Sequence, residues 1–316
     1  MSDLPDGARS RRDFLATLGA ALGAAALLGA PLGSAAAARP PRRRLLCFTK
    51  SSGFEHSVIK RGADGSPSLV ERVLTEMGTQ HGFDVTCTKD GTVFASDRIK
   101  DVDAFFFFTS GYLTDVGTDK QPAMTDAGKQ ALLGAIRGGK GFVGFHSASD
   151  SFHTLPDPTD RSNRYVAHGA ATDPYLKMLG GEFILHGQQQ KARMRVVDSH
   201  FPGMEGYGAE TVERMGEWYS LKDFTPDLHV LSVVDTDGMT GAPYQRGPYP
   251  VTWARREGRG RVFFSALGHR EEEWQETAMP TMVLGALRWA FGDVKADVAP
   301  NLSQAAPRAA DIPPKG

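Results

Sequence analysis

Short apolar runs alternate with amphipathic segments along the first half of the chain. Four runs are predicted strands, at residues 44–49, 83–88, 103–109 and 141–145. Two segments with apolar residues at helical spacing are predicted helices, at residues 66–81 and 125–137. The run at 103–109 is apolar on both faces, which is typical of a strand covered by helices on both sides. This alternation of strands and helices predicts a parallel sheet with right-handed connections.

The second half of the chain has a less regular pattern. Further strands are predicted at residues 193–197, 228–234, 251–254 and 261–265, followed by a last helix at 279–291. Residues 152–173 are polar and too many for a routine connection, which predicts a lid or a binding loop. The basic run at 255–259 predicts a solvated hairpin turn, not a phosphate site. We therefore expect one domain over residues 44–295 and a loose tail over residues 296–316.

The chain begins with a segment typical of exported proteins. Ser10, Arg11 and Arg12 precede an uncharged stretch rich in alanine, glycine and leucine, and residues 34–38 are small. The arginine pair followed by Phe-Leu matches a twin-arginine export signal, and the small residues suit cleavage. An uncleaved membrane anchor is the alternative that the length allows. We expect residues 1–38 to be a cleaved signal, 39–43 a linker, and the protein to be periplasmic or secreted.

Composition and charge remove several classes of function. With 36 Lys and Arg against 37 Asp and Glu, the net charge of −1 gives no basic field for nucleic acid or for an anionic membrane. Cys47 and Cys87 are the two cysteines, which excludes a cysteine-rich zinc or iron–sulfur site. They fall in predicted neighbouring strands, where two buried thiols are favoured over a disulfide.

Histidines follow three of the predicted strands. The first strand runs into a loop that contains His56, the strand at 141–145 runs directly into His146, and the strand at 261–265 runs into His269. Ligands of open parallel sheets bind beyond the carboxyl ends of the strands. We therefore expect these three side chains to meet at one edge of the sheet.

The sequence around His146 has the form of a nucleophile elbow. Residues 144–148 follow the small-x-polar-x-small pattern of a sharp strand-to-helix turn. Imidazole does not replace a serine or cysteine acyl nucleophile, but it binds metals and transfers protons near neutral pH. A lone histidine here would more simply bond to buried backbone. His56 and His269 at the same edge favour a functional role.

Four segments resemble motifs of the ThuA-like, or trehalose-utilization, family. In the family's order, they are residues 47–56, 139–150, 217–219 and 260–269, and the likeness runs from about 44 to 291. It implies a class I glutamine amidotransferase-like, flavodoxin-like α/β fold, with a mostly parallel sheet and helices on both faces. It also implies that His146 replaces the elbow cysteine and that the protein is associated with sugar metabolism.

The chain departs from the family pattern at several positions. Gly187 follows His186 where the family often has proline, and Gly216 stands where an acidic residue often precedes Glu-Trp-Tyr. The polar loop at 152–173 is longer than usual. It adds His153, Arg161, Arg164 and His168. The resemblance therefore leaves the identity of the substrate open.

A carboxylate next to two aromatic residues, at 217–219, suits a sugar ligand. Indole stacks on the apolar face of a sugar ring, while the carboxylate accepts hydrogen bonds or a proton; core packing is the alternative for Trp218. The three histidines and Glu217 also suit zinc or another divalent metal, although no compact motif such as His-x-His supports this. Asp150 is a candidate to cap the following helix or to orient His146.

The candidate site residues fall into three groups. The catalytic candidates are His146, Glu217, His56 and His269; the metal candidates are His56, His146 and His269; the substrate-binding candidates are Trp218, Tyr219, Asp150 and His186. The main hypothesis is an exported enzyme that acts on a saccharide. The alternative is a carbohydrate-binding domain without catalysis. A glutamine amidotransferase is disfavoured, because both cysteines lie in strands and neither occupies the elbow.

Overall fold

The computed structural model describes residues 42–154, 161–208 and 210–315. The predicted signal segment at 1–38 and most of the linker lie outside these residues. Eleven strands are described: β1 (Arg43–Phe48), β2 (Phe83–Thr88), β3 (Ala104–Phe107), β4 (Gly141–Phe145), β5 (Glu182–His186), β6 (Gln190–Val196), β7 (Thr211–Gly216), β8 (Tyr219–Lys222), β9 (His229–Asp235), β10 (Tyr249–Glu257) and β11 (Gly260–Ser265). Six α-helices are described: α1 (Leu69–His81), α2 (Asp126–Arg137), α3 (Pro174–Leu179), α4 (Glu271–Gln275), α5 (Ala278–Phe291) and α6 (Leu302–Ala305).

The main sheet has nine strands in the order β2-β1-β3-β4-β11-β10-β9-β6-β7. The first five strands in this order are parallel to one another, and β10, β9, β6 and β7 continue the sheet with antiparallel pairing. All residues of β3 and β4 are buried, as their unbroken apolar runs predict. The predicted α/β, flavodoxin-like fold class is confirmed, with an antiparallel half added to the parallel one.

Helices cover both faces of β4. A side chain at Gly141 would come within 2.6 Å of the backbone of Ala290 in α5, whereas one at Gly144 would contact Leu179 of α3. Residues three apart on a strand point to opposite faces, so α5 and α3 lie on opposite sides of the sheet. The two glycines allow this close packing.

The two helices predicted in the first half begin at side-chain caps. Ser68 and Glu71 form a reciprocal capping box at the start of α1, and the Thr125 hydroxyl accepts from the backbone N–H of Gly128 at the start of α2. Helix α1 therefore begins three residues later than the predicted start at 66. The basic run at 255–259 is part of the β10–β11 hairpin as predicted, but the solvated turn is limited to Gly258 and Arg259, because Arg255 is buried within β10 and pairs with Asp227.

The segment after residue 296 is packed on the sheet, so the prediction of a loose tail is wrong. Asn301 bonds through its side chain to both backbone groups of Val230 in β9, and Arg246 donates to the carbonyl oxygen of Ala309. Ala305 and Ala309 are buried. Hydrogen bonds to backbone groups and small buried alanine side chains hold this segment on the sheet. Neither produces an apolar periodicity in the sequence, so the pattern did not reveal the packing.

Cys47 and Cys87 face each other across β1 and β2, and both thiols are free. Cys47 is buried as predicted, whereas Cys87 is only partly buried. Over the described ranges, no helix is both long enough and apolar enough to cross a membrane.

Candidate functional site

The site is built on a strained turn at the end of β4. His146 has a backbone φ of +45°, a left-handed conformation that few residues other than glycine adopt. The hydroxyl of Ser149 donates to the carbonyl oxygen of His146 across the turn, at 3.1 Å. Residues His146–Asp150 form a short 3-10 helix, not the α-helix expected after an elbow. The turn points the imidazole away from the strand, into a buried space beyond the sheet edge.

Three histidine rings gather at this edge, as their positions after parallel strands predict. The ring centroids of His56 and His146 are 4.8 Å apart, those of His56 and His269 are 5.2 Å apart, and those of His146 and His269 are 5.1 Å apart. His56 and His146 are buried and His269 is partly exposed. The topology of β1, β4 and β11 brings them together.

Glu217 reaches the same point from the antiparallel half of the molecule. It lies between β7 and β8, and its Oε2 is 3.0 Å from Nδ1 of His269 and 3.3 Å from Nε2 of His146. Those two nitrogens are 3.2 Å apart. Ligand atoms from His56, His146, His269 and Glu217 all lie within 4.8 Å of one another, and we call these four residues the histidine cluster.

Backbone contacts define which ring nitrogen of His146 faces the cluster. The carbonyl oxygen of Ala266 lies 2.8 Å from Nδ1 of His146, and since a carbonyl only accepts, Nδ1 carries the proton. In the neutral ring, Nε2 then presents a lone pair toward the Glu217 carboxylate. Two acceptor atoms at 3.3 Å are stabilised by a donor or a cation that bridges them, and Nδ1 of His269, at 3.2 Å from Nε2 of His146 and 3.0 Å from Oε2 of Glu217, lies where such a bridge is formed.

Burial determines the protonation of the cluster. Burial and the nearby imidazoles of His146 and His269 lower the pKa of His56 to about 2, so this ring is neutral at ordinary pH. Burial also lowers the pKa of His146. Burial raises the pKa of Glu217, but the imidazoles of His146 and His269 outweigh it and hold that pKa below its ordinary value. Neutral imidazole and ionised carboxylate are the forms that bind metal ions.

Trp218 does not offer a surface to a ligand, so its predicted stacking role is wrong. Its side chain is 1% exposed, and its indole N–H donates to the carbonyl oxygen of Gln190 at 3.0 Å. Tyr219 points the other way and is part of the cluster's wall: its ring centroid is 4.1 Å from that of His146, and its hydroxyl is 3.4 Å from Nε2 of His56.

The remaining predicted residues lie next to the cluster. His186 is partly exposed, stacks on Tyr219 and places Nδ1 3.4 Å from Oε1 of Glu217. Asp150 neither caps a helix nor contacts His146; its Oδ1 bonds to Nε2 of His153 at 2.6 Å and lies 3.6 Å from Arg164. The prediction that Asp150 caps a helix or orients His146 is therefore wrong.

A second polar cluster, formed by Lys222, Glu182, Asp223 and His168, escaped the sequence analysis. The Lys222 ammonium is 3.0 Å from Asp223, 3.5 Å from Glu182 and 2.7 Å from Nδ1 of His168. Because the ammonium already occupies the space between these groups, the cluster is a buried ion network and not a second metal site. The sequence analysis did not predict β8, whose four residues are all buried, so nothing marked Lys222 as a buried cation.

The donor set of the histidine cluster suits zinc. Zinc sites use imidazole and carboxylate ligands, with about 2.0–2.2 Å from metal to ligand and tetrahedral angles. Adjacent ligand atoms are then about 3.3 Å apart. The three spacings between His146, His269 and Glu217, at 3.3, 3.0 and 3.2 Å, are close to this value, and a ligand atom of His56 lies within 4.8 Å of them.

Comparisons with known proteins agree with this architecture. The chain matches a structure of a ThuA-like protein from Bacteroides uniformis, with 18% identity, a TM-score of 0.57, and coverage of 83% of this chain and 95% of that one. A ThuA-like protein from Parabacteroides merdae also matches, with 18% identity, a TM-score of 0.51, and coverage of 84% and 97%. At these identities the likeness shows the fold alone. A search of curated proteins gave no match.

The family model described as ThuA, trehalose utilisation, matches residues 44–156 and 162–290, which include all four residues of the histidine cluster. The match covers most of the chain and confirms the resemblance carried by the four sequence motifs. The chain belongs to the ThuA family.

Proposed function

We propose that the protein is an exported enzyme that acts on a sugar or sugar derivative, and that His56, His146, His269 and Glu217 hold a divalent metal, zinc by preference. The observation that carries the proposal is the spacing of Nε2 of His146, Nδ1 of His269 and Oε2 of Glu217, which is that of adjacent zinc ligands. The description of the family, trehalose utilisation, supports a saccharide as the substrate.

The residues around the proposed metal have separable roles. The four residues of the histidine cluster would hold the zinc, and the ion would supply a Lewis acid for polarising an oxygen of the substrate. The carbonyl oxygen of Ala266 holds the Nδ1–H of His146 and so fixes the tautomer that leaves Nε2 free. The Tyr219 ring packs beside His146 and keeps water from that side of the site. His186 is the polar group between the cluster and solvent.

The sequence pattern of the first residues of the chain supports the proposal of export. The arginine pair at Arg11 and Arg12, the apolar stretch that follows and the small residues at 34–38 form the pattern of a twin-arginine signal. That pathway carries folded proteins, which permits metal loading before export. The export machinery is then a transient partner, and we propose no stable contact with the membrane after cleavage.

A carbohydrate-binding domain without catalysis is the second candidate. The absence of cysteine from the elbow favours it, because the acyl chemistry associated with that turn is lost. Cys47 and Cys87 lie within β1 and β2, so neither replaces the missing nucleophile. The two candidates differ in whether a sugar is converted and in whether its handling requires the metal.

We expect the purified protein to hold about one zinc per chain and to convert a neutral saccharide, with activity lost on chelation and restored by zinc. Metal analysis, followed by chromatography of products from a panel that includes trehalose, measures both. Tight sugar binding that survives chelation, with no product after prolonged incubation, supports the binding domain instead. A protein that binds neither zinc nor sugar contradicts both candidates.

A further inference from the structure

A cleft of about 570 Å³ opens beside the histidine cluster. Two of its lining residues also contact the cluster: Phe54 packs its ring 4.9 Å from that of His56, and His186 lies 3.4 Å from Glu217. The cleft therefore adjoins the histidine cluster through Phe54 and His186. The volume lies within the usual range for small-molecule sites.

The lining of the cleft also carries a pair of charged side chains. Asp150 and Arg164 are 3.6 Å apart, and the Arg164 guanidinium lies over the ring of Phe183 at 5.5 Å. Oδ1 of Asp150 contacts both His153 and Arg164, and an ionised carboxylate has acceptor sites on both of its oxygens. This wall therefore presents a donor and an acceptor side by side, which matches adjacent hydroxyl groups on a sugar ring.

Phe54 is the exposed aromatic residue at the rim. Its side chain is 69% exposed, unlike the buried Trp218 and Tyr219. Because Phe54 lines the cleft, a ligand bound there would contact its ring. The flat ring suits the apolar face of a pyranose, as the indole of Trp218 was predicted to do.

The charges in the cleft select against an anionic ligand. Arg164 is already paired with Asp150, while Asp115 adds a further negative charge at the wall; the charge of Glu217 is offset by the proposed zinc. A carboxylate on the ligand would lie near Asp115, and among the described lining residues Arg164 is the one Lys or Arg. Neutral hydroxyl groups meet no such repulsion.

We propose that this cleft is a binding subsite for a neutral sugar ring, with Phe54 stacking on one face and Asp150 and Arg164 bonding to adjacent hydroxyl groups. The proposal deepens the proposed function and rests on it. A glycoside bound there extends from the subsite to the histidine cluster, so the ring in the cleft positions the sugar that reacts.

The test is calorimetric titration of the purified zinc-loaded protein with glucose, glucuronic acid, trehalose, maltose and cellobiose. We expect at least one neutral sugar to bind and glucuronic acid to bind at least about tenfold more weakly than glucose. Phe54→Ala and Arg164→Met are each expected to weaken binding about tenfold, while Phe54→Trp retains it. Met215→Ala, at another exposed apolar side chain, is the matched control and should not change binding.

Zinc content measured on the same samples separates this proposal from the proposed function. Weakened sugar binding at an unchanged zinc content supports the subsite. If no sugar binds, if Phe54→Ala and Arg164→Met bind like the wild type, or if glucuronic acid binds as well as glucose, the subsite is wrong. If the purified protein contains no zinc and Phe54→Ala still abolishes sugar binding, the subsite proposal is supported and the metal proposal is wrong.

Discussion

Replacing His146 with asparagine is expected to weaken zinc binding by more than about 100-fold and to abolish zinc-dependent sugar conversion. The substitution removes Nε2, the atom that lies 3.3 Å from Glu217 and 3.2 Å from His269. Asparagine is chosen because it tolerates the positive φ of this turn better than alanine does. Zinc affinity by competition with a chromogenic chelator, and product formation, measure the effect.

The matched control for this variant is His200→Asn. The His200 side chain is 97% exposed and lies outside the cluster, so zinc affinity and activity should stay at the wild-type level. Circular dichroism on both variants separates loss of the site from loss of the fold. Wild-type zinc affinity in a folded His146→Asn protein would show that this residue is not a ligand.

Replacing Lys222 with methionine is expected to lower the free energy of unfolding by about 3–5 kcal/mol. The ammonium is buried among Glu182, Asp223 and His168, and its removal leaves two carboxylates together without the cation between them. Burial raises the pKa of Glu182, but the contacts with His153 and Lys222 outweigh it and hold that pKa at about 2. Urea unfolding at neutral pH measures the loss.

Lys191→Met is the control for this prediction. Lys191 also pairs with a glutamate, Glu213, but both side chains are more than half exposed, so the change should stay below about 1 kcal/mol. If the Lys222→Met and wild-type proteins have equal free energies of unfolding, the charge of Lys222 does not stabilise the buried carboxylates. Zinc content should be unchanged in both variants, because Lys222 is not part of the histidine cluster.

Local sequence patterns predict the parallel half of the fold and the meeting of three histidines at one edge of the sheet. Continuous apolar runs identify β3 and β4, and caps at Ser68 and Thr125 explain where α1 and α2 begin. Parallel strands place their carboxyl ends at one edge, so residues just after them meet whatever their separation along the chain. This is why His56, His146 and His269 could be grouped from the sequence.

The antiparallel half follows from long-range pairing, which local patterns do not encode. β5, β7 and β8 were not predicted, because β5 pairs with β8 across a bulge and β7 is a half-exposed edge strand. Residues 217–219 lie between β7 and β8, so sequence could not show that Trp218 points into the core. Phe54 stood in a recognised motif, but its exposure and its place on the cleft lining follow only from the folded chain.

X-ray absorption at the zinc edge of the purified protein tests the central claim most directly. We expect one zinc with nitrogen and oxygen ligands at about 2.0–2.1 Å and the multiple scattering of imidazole, and we expect this signal to disappear in His146→Asn. Sulfur scattering near 2.3 Å, or an imidazole signal that persists unchanged in His146→Asn, would contradict a metal centre built on the histidine cluster.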